Sequence, residues 1–374
     1  MKGWQTKSFS DVLDIKNGRN QKEVESDSGE YPIYGSAGNV MGYANSYICE
    51  AGTIIVGRKG NINSPIYAET RFWNVDTAFG LAAKPGLDSK FLYYYCLSFD
   101  FSALNRGTTI PSLVKSELLS ISIPAPPLSE QQRIVSIIDK AFDGIAKARA
   151  NAEQNLQNAR ALFESHLQSV FADAWQTGGL VTLTDLATDI TDGDHMPPPK
   201  APSGVPFITI GNVAKDTRTI DFTDTFKVSR EYFNRLKPNK KPQKGDVLYT
   251  VTGSFGIPVL LEEQREFCFQ RHIGLVRPKS EVSSEWLYYL LMSPQILKQA
   301  NDGATGTAQK TVSLKLLRGF QVPLVPLEHQ RAAAAKLKAV SAETQCLESI
   351  YKRKLAAIDD LKKSLLHQAF SGQL

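Results

Sequence analysis

Several kinds of chemistry are missing from this 374-residue chain. Its four cysteines, Cys49, Cys96, Cys268 and Cys346, form no Cys-x-x-Cys pair and have no nearby histidine, so neither a disulfide framework nor a zinc site is expected. The five histidines, at 166, 195, 272, 329 and 367, fall in no metal-ligand spacing. No glycine-lysine pair occurs, which excludes a P-loop for ATP phosphates. No Asn/Asp-Pro-Pro-Tyr/Phe stretch occurs either; Met196-Pro197-Pro198-Pro199 lacks both the acidic or amide lead and the aromatic. Pro85-x-x-Asp88-x-Lys90 echoes a nuclease carboxylate-lysine pattern but reads as a turn entering a helix. No segment approaches the ~20 apolar residues of a membrane span. Met1-Lys2-Gly3-Trp4 begins no signal peptide. The expectation is a cytoplasmic, non-membrane protein that performs no catalysis by itself and carries no cofactor.

What the chain does contain is itself, twice. Pro127-Leu128-Ser129-Glu130-Gln131 corresponds to Pro326-Leu327-Glu328-His329-Gln330 at an offset of 199, and Leu156, Leu162, Leu167 and Phe171 fall on Leu355, Leu361, Leu366 and Phe370. Upstream, Gly52-Thr53-Ile54-Ile55-Val56-Gly57 meets Gly245-Asp246-Val247-Leu248-Tyr249-Thr250 at an offset of 193. Ser89-Lys90-Phe91-Leu92-Tyr93-Tyr94 meets Ser284-Glu285-Trp286-Leu287-Tyr288-Tyr289 at 195. The drift in offset with unchanged order is that of two duplicated units differing by loop insertions.

Composition allows two cored domains with 42% apolar and 22% charged residues. The net charge of +5 is unevenly spread: residues 1–124 carry 12 basic and 12 acidic groups, residues 176–324 carry 18 and 15. A positive balance permits nucleic-acid binding without demanding it. The fold class expected is α+β, with two similar strand-rich domains. Ile54-Ile55-Val56, Phe79–Ala83, Val247-Leu248-Tyr249 and Val259-Leu260-Leu261 read as buried strands. Phe91–Leu97 reads as a helix whose Tyr93-Tyr94-Tyr95 cluster, like Trp286-Tyr288-Tyr289, belongs to a core.

Each strand-rich part is followed by a long helical pattern. Ser129 and Gln132 have the spacing of a capping box, no proline follows until Pro197, and Gly178-Gly179 supplies a stop. Apolar residues Ile134, Ile138, Ala141, Ile145, Ala148, Ala152, Leu156, Ala159, Leu162 and Val170 recur every three or four residues. About 45 residues at ~1.5 Å rise make a rod of about 65 Å. The second helix carries Leu337, Val340, Thr344, Leu347, Tyr351, Ile358, Leu361 and Leu365 near a 3.5-residue repeat, with Glu328 substituting for a capping serine. Two narrow apolar stripes pack economically on each other as an antiparallel coiled coil with a pseudo-two-fold axis. The domain plan is 1–124, helix 125–177, 178–324, helix 325–374.

The run Pro127-Leu128-x-Glu130-Gln131-Gln132-Arg133-Ile134-Val135 resembles the specificity subunit of type I restriction-modification systems. So does Leu361-Lys362-Lys363-Ser364-Leu365-Leu366-x-x-Ala369-Phe370-Ser371-Gly372-x-Leu374, and the resemblance covers the whole chain. The chain departs from the pattern at His329 and at Arg331-Ala332-Ala333-Ala334-Ala335. The resemblance implies two target recognition domains, each reading half of a split, asymmetric site in double-stranded DNA. It further implies a helical pair that sets the spacing and docks two methyltransferase subunits, joined by restriction (translocase) subunits. S-adenosylmethionine, ATP and magnesium would then reside on those partners, and the DNA adenine methyltransferase and ATP-dependent endonuclease activities on the assembled complex.

Candidate DNA contacts come from the loops: Arg58, Lys59 and Asn61 with their counterparts Thr252 and Ser254; Asn105, Arg106 and Thr108 with Thr305, Thr307 and Lys310; and Arg271 in Gln270-Arg271-His272. Arg and Asn can make bidentate contacts to base edges, while Lys and Thr more often hold phosphates. The bland reading is a set of ordinary solvated turns. Gln154, Asn155, Gln157 and Asn158, with Leu361 and Leu365, are the candidate partner-docking residues on the helices. Two other readings stay open: an orphan specificity subunit, and a coiled-coil scaffold with protein-binding ends.

Overall fold

A computed structural model describes residues 4–374 except 197 and 308, and excepting the side chain at 177. Met1-Lys2-Gly3 and the Pro197 of the triple-proline stretch thus lie outside the described residues. The chain divides into two compact units, one reaching Gln154 and including Tyr351–Leu374, the other Asn155–Ile350. The fold is mixed α and β, with two long helices.

In the first unit β1 (Gln5–Ser8) leads through one helical turn, α1 (Phe9–Val12), into β2 (Leu13–Asn17). The Asp11 carboxylate fixes that turn by accepting from the Ser8 N–H at 3.1 Å and the Ser8 hydroxyl at 2.7 Å. A hairpin of β3 (Tyr31–Tyr34) and β4 (Val40–Ala44) follows, then β5 (Ile54–Gly57), β6 (Ile66–Tyr67), β7 (Trp73–Asn74) and β8 (Ala78–Ala83). The four-stranded antiparallel sheet runs β2-β8-β5-β6, and β3 lies between antiparallel β4 and parallel β7 in a second sheet. β5 is buried at every position, which is why its sequence is an unbroken apolar run with no alternation. α2 (Ser89–Ser98) starts where the Asp88 carboxylate accepts the Phe91 N–H at 2.9 Å. Next come α3 (Lys115–Leu119), β9 (Ser122–Ala125), which pairs with β1, and α4 (Leu128–Thr177).

The second unit has the same order with an insertion. β10 (Leu180–Thr182), α5 (Leu183–Leu186) and β11 (Ala187–Asp192) open it, and Asp185 fastens Thr182 as Asp11 fastens Ser8. β12 (Val205–Ile208) is followed by a small hairpin of β13 (Val213–Ala214) and β14 (Thr219–Ile220), then β15 (Phe226–Val228) and α6 (Arg230–Arg235). β16 (Val247–Thr250), β17 (Pro258–Leu260), β18 (Cys268–Phe269) and β19 (Ile273–Pro278) complete sheets ordered β11-β19-β16-β17 and β15-β12-β18. The latter again has one antiparallel and one parallel pairing. α7 (Ser284–Leu291), α8 (Pro294–Gly303), α9 (Leu314–Arg318), β20 (Gln321–Pro323), which pairs with β10, and α10 (Leu327–Ser371) end the chain.

Each unit's core takes one segment from each long helix. Ile134 and Ile138 of α4 and Leu366 and Ala369 of α10 are buried in the first unit. Leu167 and Phe171 of α4 and Ala334 and Leu337 of α10 are buried in the second. Full burial of such an aliphatic or aromatic side chain contributes about 1.5–3 kcal/mol. The Phe370 ring meets Phe91 at 5.1 Å, and Phe171 meets Trp286 at 6.1 Å in the corresponding place. In the first unit Arg149 pairs with Asp359 and Arg133 donates to the Leu374 carbonyl, so the helical segments there run in opposite directions. In the second unit Arg160 pairs with Glu348 at 3.4 Å.

Three expectations are corrected. Ser129 caps nothing: Pro127 and Pro326 supply the carbonyls that accept the first N–H groups of α4 and α10, which places Ser129 inside the first turn. Leu361 is 56% exposed, and Leu162 and Leu347 are also exposed. The covered positions at the end of α10 are Ile358, as expected, with Leu366 and Ala369. The first helix is also longer than expected, 50 residues. The aromatic clusters sit in the cores as expected: Tyr94, Trp286 and Tyr289 are buried. Asp88 is the N-cap of α2 and Lys90 an ion-pair partner of Asp139, in keeping with a turn entering a helix.

Candidate nucleic-acid interface

The candidate loops of each unit, far apart in sequence, are laced together by backbone hydrogen bonds. In the first unit Leu113 N–H donates to the Arg58 carbonyl at 2.9 Å and Gly60 N–H donates to Pro111 at 2.9 Å. Arg106 N–H donates to Ser112 at 2.9 Å, and Lys59 bridges Ser112. The same ties recur in the second unit: Val312 N–H to the Val251 carbonyl at 2.8 Å, Gly253 N–H to Lys310 at 3.1 Å, Thr305 N–H to Thr311 at 3.0 Å, and the bridge Thr252–Thr311. Gly60 and Gly253 both have positive φ, +84° and +69°, a conformation natural to glycine that lets each loop turn back under its partner.

A third segment joins each cluster. Arg58 N–H donates to Thr77 at 2.7 Å in the first unit, and Val251 N–H donates to His272 at 2.9 Å in the second. Arg271, exposed, therefore lies beside the Thr252 loop, as Asp76 lies beside Arg58. Burial and the positive neighbour Arg271 both lower the His272 pKa, burial more.

Side chains differ in their freedom to reach a ligand. Lys59, Asn61, Thr108, Ser254, Thr305, Thr307 and Lys310 are exposed. Arg58 is exposed and rests on its own unit, donating to the Asp76 carbonyl at 3.3 Å with its guanidinium over the Phe79 ring. Asn105 is occupied: its Oδ1 accepts from Gly107 and Ser112 N–H at 2.9 Å each, and its Nδ2 donates to the Gly107 carbonyl. That makes it the brace of the 105–112 loop. Arg106 is held by Glu117, with Nε 2.8 Å from Oε1. The hydrogen bond and charge of Glu117 raise the Arg106 pKa, and Arg106 lowers that of Glu117. Thr252 is only 7% exposed, so its side chain is turned away from solvent, and its backbone bridges Thr311. On the helices Gln154, Asn155, Gln157 and Asn158 are exposed, Leu361 is exposed and Leu365 half-buried.

Sequence reasoning passed over neighbours that the fold adds. Gly18 N–H donates to Ala78 at 3.2 Å and Arg19 N–H to Asn74 at 3.0 Å, which brings exposed Arg19 and Asn20 to the β7–β8 turn that holds Arg58. In the second unit Gly193 donates to Ile273 and Arg271 to Asp194, bringing exposed His195 to the same place. The available signal was Gly18 and Gly193 closing matching strands, but their offset of 175 differs from the offsets of 193 to 199 read elsewhere in the sequence. Among the described residues no group of three or more His, Cys, Asp or Glu is placed to hold a metal, and no helix is long and apolar enough to cross a membrane.

The family model for the type I restriction modification DNA specificity domain matches residues 1–154 and 180–354, and the chain belongs to that family. It is similar to the type I restriction enzyme EcoBI specificity subunit of Escherichia coli, 22% identical over 350 residues, 86% of this chain and 73% of that protein. It is also similar to the MjaVIII specificity subunit of Methanocaldococcus jannaschii, 25% identical over 349 residues, 87% of this chain and 76% of that one. Among solved structures, a chain from a study of complex assembly and conformational transition in the type I R-M system matches with TM-score 0.79 and 20% identity, covering 100% of this chain and 99% of its own. The HsdS subunit of Thermoanaerobacter tengcongensis matches with TM-score 0.59 and 19% identity, covering 100% and 98%. At such identities the structural likeness speaks for the fold.

Proposed function

We propose that this chain is the DNA sequence-specificity subunit of a type I restriction-modification complex. Its two units read the two halves of a bipartite, asymmetric site in double-stranded DNA. The observation that carries the reading is the repeated lacing: the same backbone hydrogen bonds hold two exposed, polar loops side by side in each unit, with different side chains on them. An identical frame with Arg58, Lys59 and Asn61 on one copy and Ser254, Thr305 and Lys310 on the other suits two readers of different sequences.

In this reading residues 1–124 and 178–324 are target recognition domains. Residues 125–177 and 325–374 form an antiparallel coiled coil that relates the two halves by a pseudo-two-fold axis and acts as a ruler. Support comes from covered positions outside the globular cores, Ala152 and Ala159 on α4 and Thr344 and Ile358 on α10, seven and fourteen residues apart. Gln154, Asn155, Gln157 and Asn158, with exposed Leu361 and half-buried Leu365, offer a mixed surface for two methyltransferase subunits, with restriction subunits joining the complex. Catalysis and its cofactors belong to those partners, and the cytoplasm is the compartment.

Selection from randomised duplex by this chain assembled with its methyltransferase subunit tests the proposal. Two short fixed blocks separated by a spacer of constant length are expected. Their centres should lie about one helical turn, ~34–36 Å, or slightly more apart. A single uninterrupted block, or no enrichment, would refute it.

A further inference from the structure

Each long helix begins with a buried glutamine whose carboxamide is spent on the unit beside it. Gln131, 1% exposed, accepts the Asp88 N–H on Oε1 at 2.7 Å and donates from Nε2 to the carbonyls of Pro126 at 2.8 Å and Gly86 at 3.1 Å. Gln330, 2% exposed, accepts the Ser283 N–H at 2.8 Å and donates to the Val325 carbonyl at 2.7 Å. Asp88 and Ser283 are the N-cap residues of α2 and α7, and Pro126 and Val325 hold matching places in the two connectors. One side chain thus joins three parts of its unit: the first turn of the long helix, the connector before it, and the cap of the short helix packed on the sheet.

The short helices also grip the long ones further along. Lys90 and the Tyr94 hydroxyl both bond Asp139 on α4, while Phe163 of α4 meets the Tyr289 ring of α7 at 6.3 Å. Those contacts differ in chemistry between the units, whereas both bonds of Gln330 recur at Gln131, which adds the one to Gly86. A carboxamide is suited to the task because only a group with both donor and acceptor can satisfy an N–H and a carbonyl together in a buried place. An apolar replacement of equal size would leave the Asp88 N–H and Pro126 carbonyl unpaired.

We infer that Gln131 and Gln330 are positioning residues for DNA recognition: each fixes the angle at which its recognition fold leaves its own long helix, and so the distance between half-sites. This inference rests on the ruler reading above. It makes each glutamine responsible for spacer tolerance, with no contact to DNA.

The test uses the full chain assembled with its methyltransferase subunit. Gln131→Met and Gln330→Met keep volume and remove hydrogen bonding; Gln131→Glu keeps the acceptor alone. Binding is measured on duplexes whose spacer is native, one base pair shorter and one longer. Amide exchange is followed at Asp88 and Ser283. In Gln131→Met we expect discrimination between native and altered spacers to fall about tenfold, the scale of one lost buried hydrogen bond with its unpaired partner. Base preferences within each half-site should be retained. Exchange should quicken at Asp88 in that variant and at Ser283 in Gln330→Met, each leaving the other amide protected. Gln131→Glu should leave Asp88 protected yet relax spacing through its lost donor bonds.

Unchanged spacer discrimination in folded Gln131→Met and Gln330→Met would overturn the inference. So would loss of base preference within a half-site, which marks a direct or merely structural role. If a methionine variant fails to fold, the glutamate variant and the exchange measurement decide. A wild-type complex that ignores spacer length would instead sink the ruler reading itself.

Discussion

The two units share a strand order and a set of loop ties but fill their interiors differently. At the edge of β5, Thr53 makes one modest bond, its hydroxyl donating to the Glu50 carbonyl at 2.7 Å. At the matching place in the second unit stands Asp246, 2% exposed, which accepts from Arg277 Nε and Nη2 at 2.9 and 2.8 Å and from the Gln243 N–H at 2.8 Å. One strand over, Gly80 leaves room for the Cys49 thiol, while its counterpart Leu275 is a fully buried core side chain. Buried Asn74, donating to Ala78 and accepting from Cys49, stands where the second unit has Phe269. Burial pushes the Cys49 thiol up to about 12 and leaves it unreactive. The two units share strand order and loop ties while their side chains fill the same space differently. The loops can diverge in the same way, because the ties between them run through main-chain atoms.

This contrast can be broken in order of effect. Asp246→Ala removes two charged hydrogen bonds of Arg277, which keeps Asp189 at 4.0 Å and the Lys241 carbonyl, and the acceptor of the Gln243 N–H. It should cost the second unit about 3–5 kcal/mol, whereas Thr53→Ala should cost the first about 1 kcal/mol. Hydrogen exchange read separately in β16 and β5 distinguishes them, and equal losses would contradict the contrast. Leu275→Ala opens a cavity and should cost about 2–5 kcal/mol. The matching Gly80→Ala overfills: its Cβ would stand 2.6 Å from the Cys49 sulfur, for a cost of about 1–3 kcal/mol. Cys49→Ala should recover part of that loss on denaturant titration, with no recovery pointing to backbone strain instead.

The smallest effect is electrostatic. Glu117 is held below the ordinary carboxylate range by the Arg106 hydrogen bond. The contribution of that pair is therefore full above the ordinary carboxylate value and is lost as pH falls through the lowered one. A carboxyl titration by NMR should place Glu117 below its value in Arg106→Ala; coincidence of the two would remove the pair as a brace of the loop.

Strands such as Ile54–Val56 and the presence of a long helix after each Pro-Leu-x-x-Gln pattern were legible because both are local signals. The sequence correspondence between the units was read from Gly52 onward but not before. Ser8 and Thr182 begin equivalent turns at an offset of 174, and the insertion of β13, β14 and α6 hides that correspondence. Serine at 129 suggested a cap because the motif is written in side chains, yet Pro127 supplies the first carbonyl and moves the helix start upstream. Leu361 looked like a core position because a 3.5-residue repeat extended from Tyr351 reaches its neighbourhood, but burial passes to Leu366 and Ala369. Among candidate contacts, composition singled out Asn105 and Thr252. Only the tertiary ties reveal the first as a brace and the second as buried.

The most direct test of the central claim is a half-site protection map of the assembled methyltransferase complex carrying Arg58→Ala or Lys310→Ala. The account predicts that Arg58→Ala relaxes base preference in one half-site only, by about 1–3 kcal/mol. Lys310→Ala should weaken the other half more uniformly across sequences and reduce the salt slope by about one. Equal loss at both half-sites from either variant would contradict the division of reading between the two units.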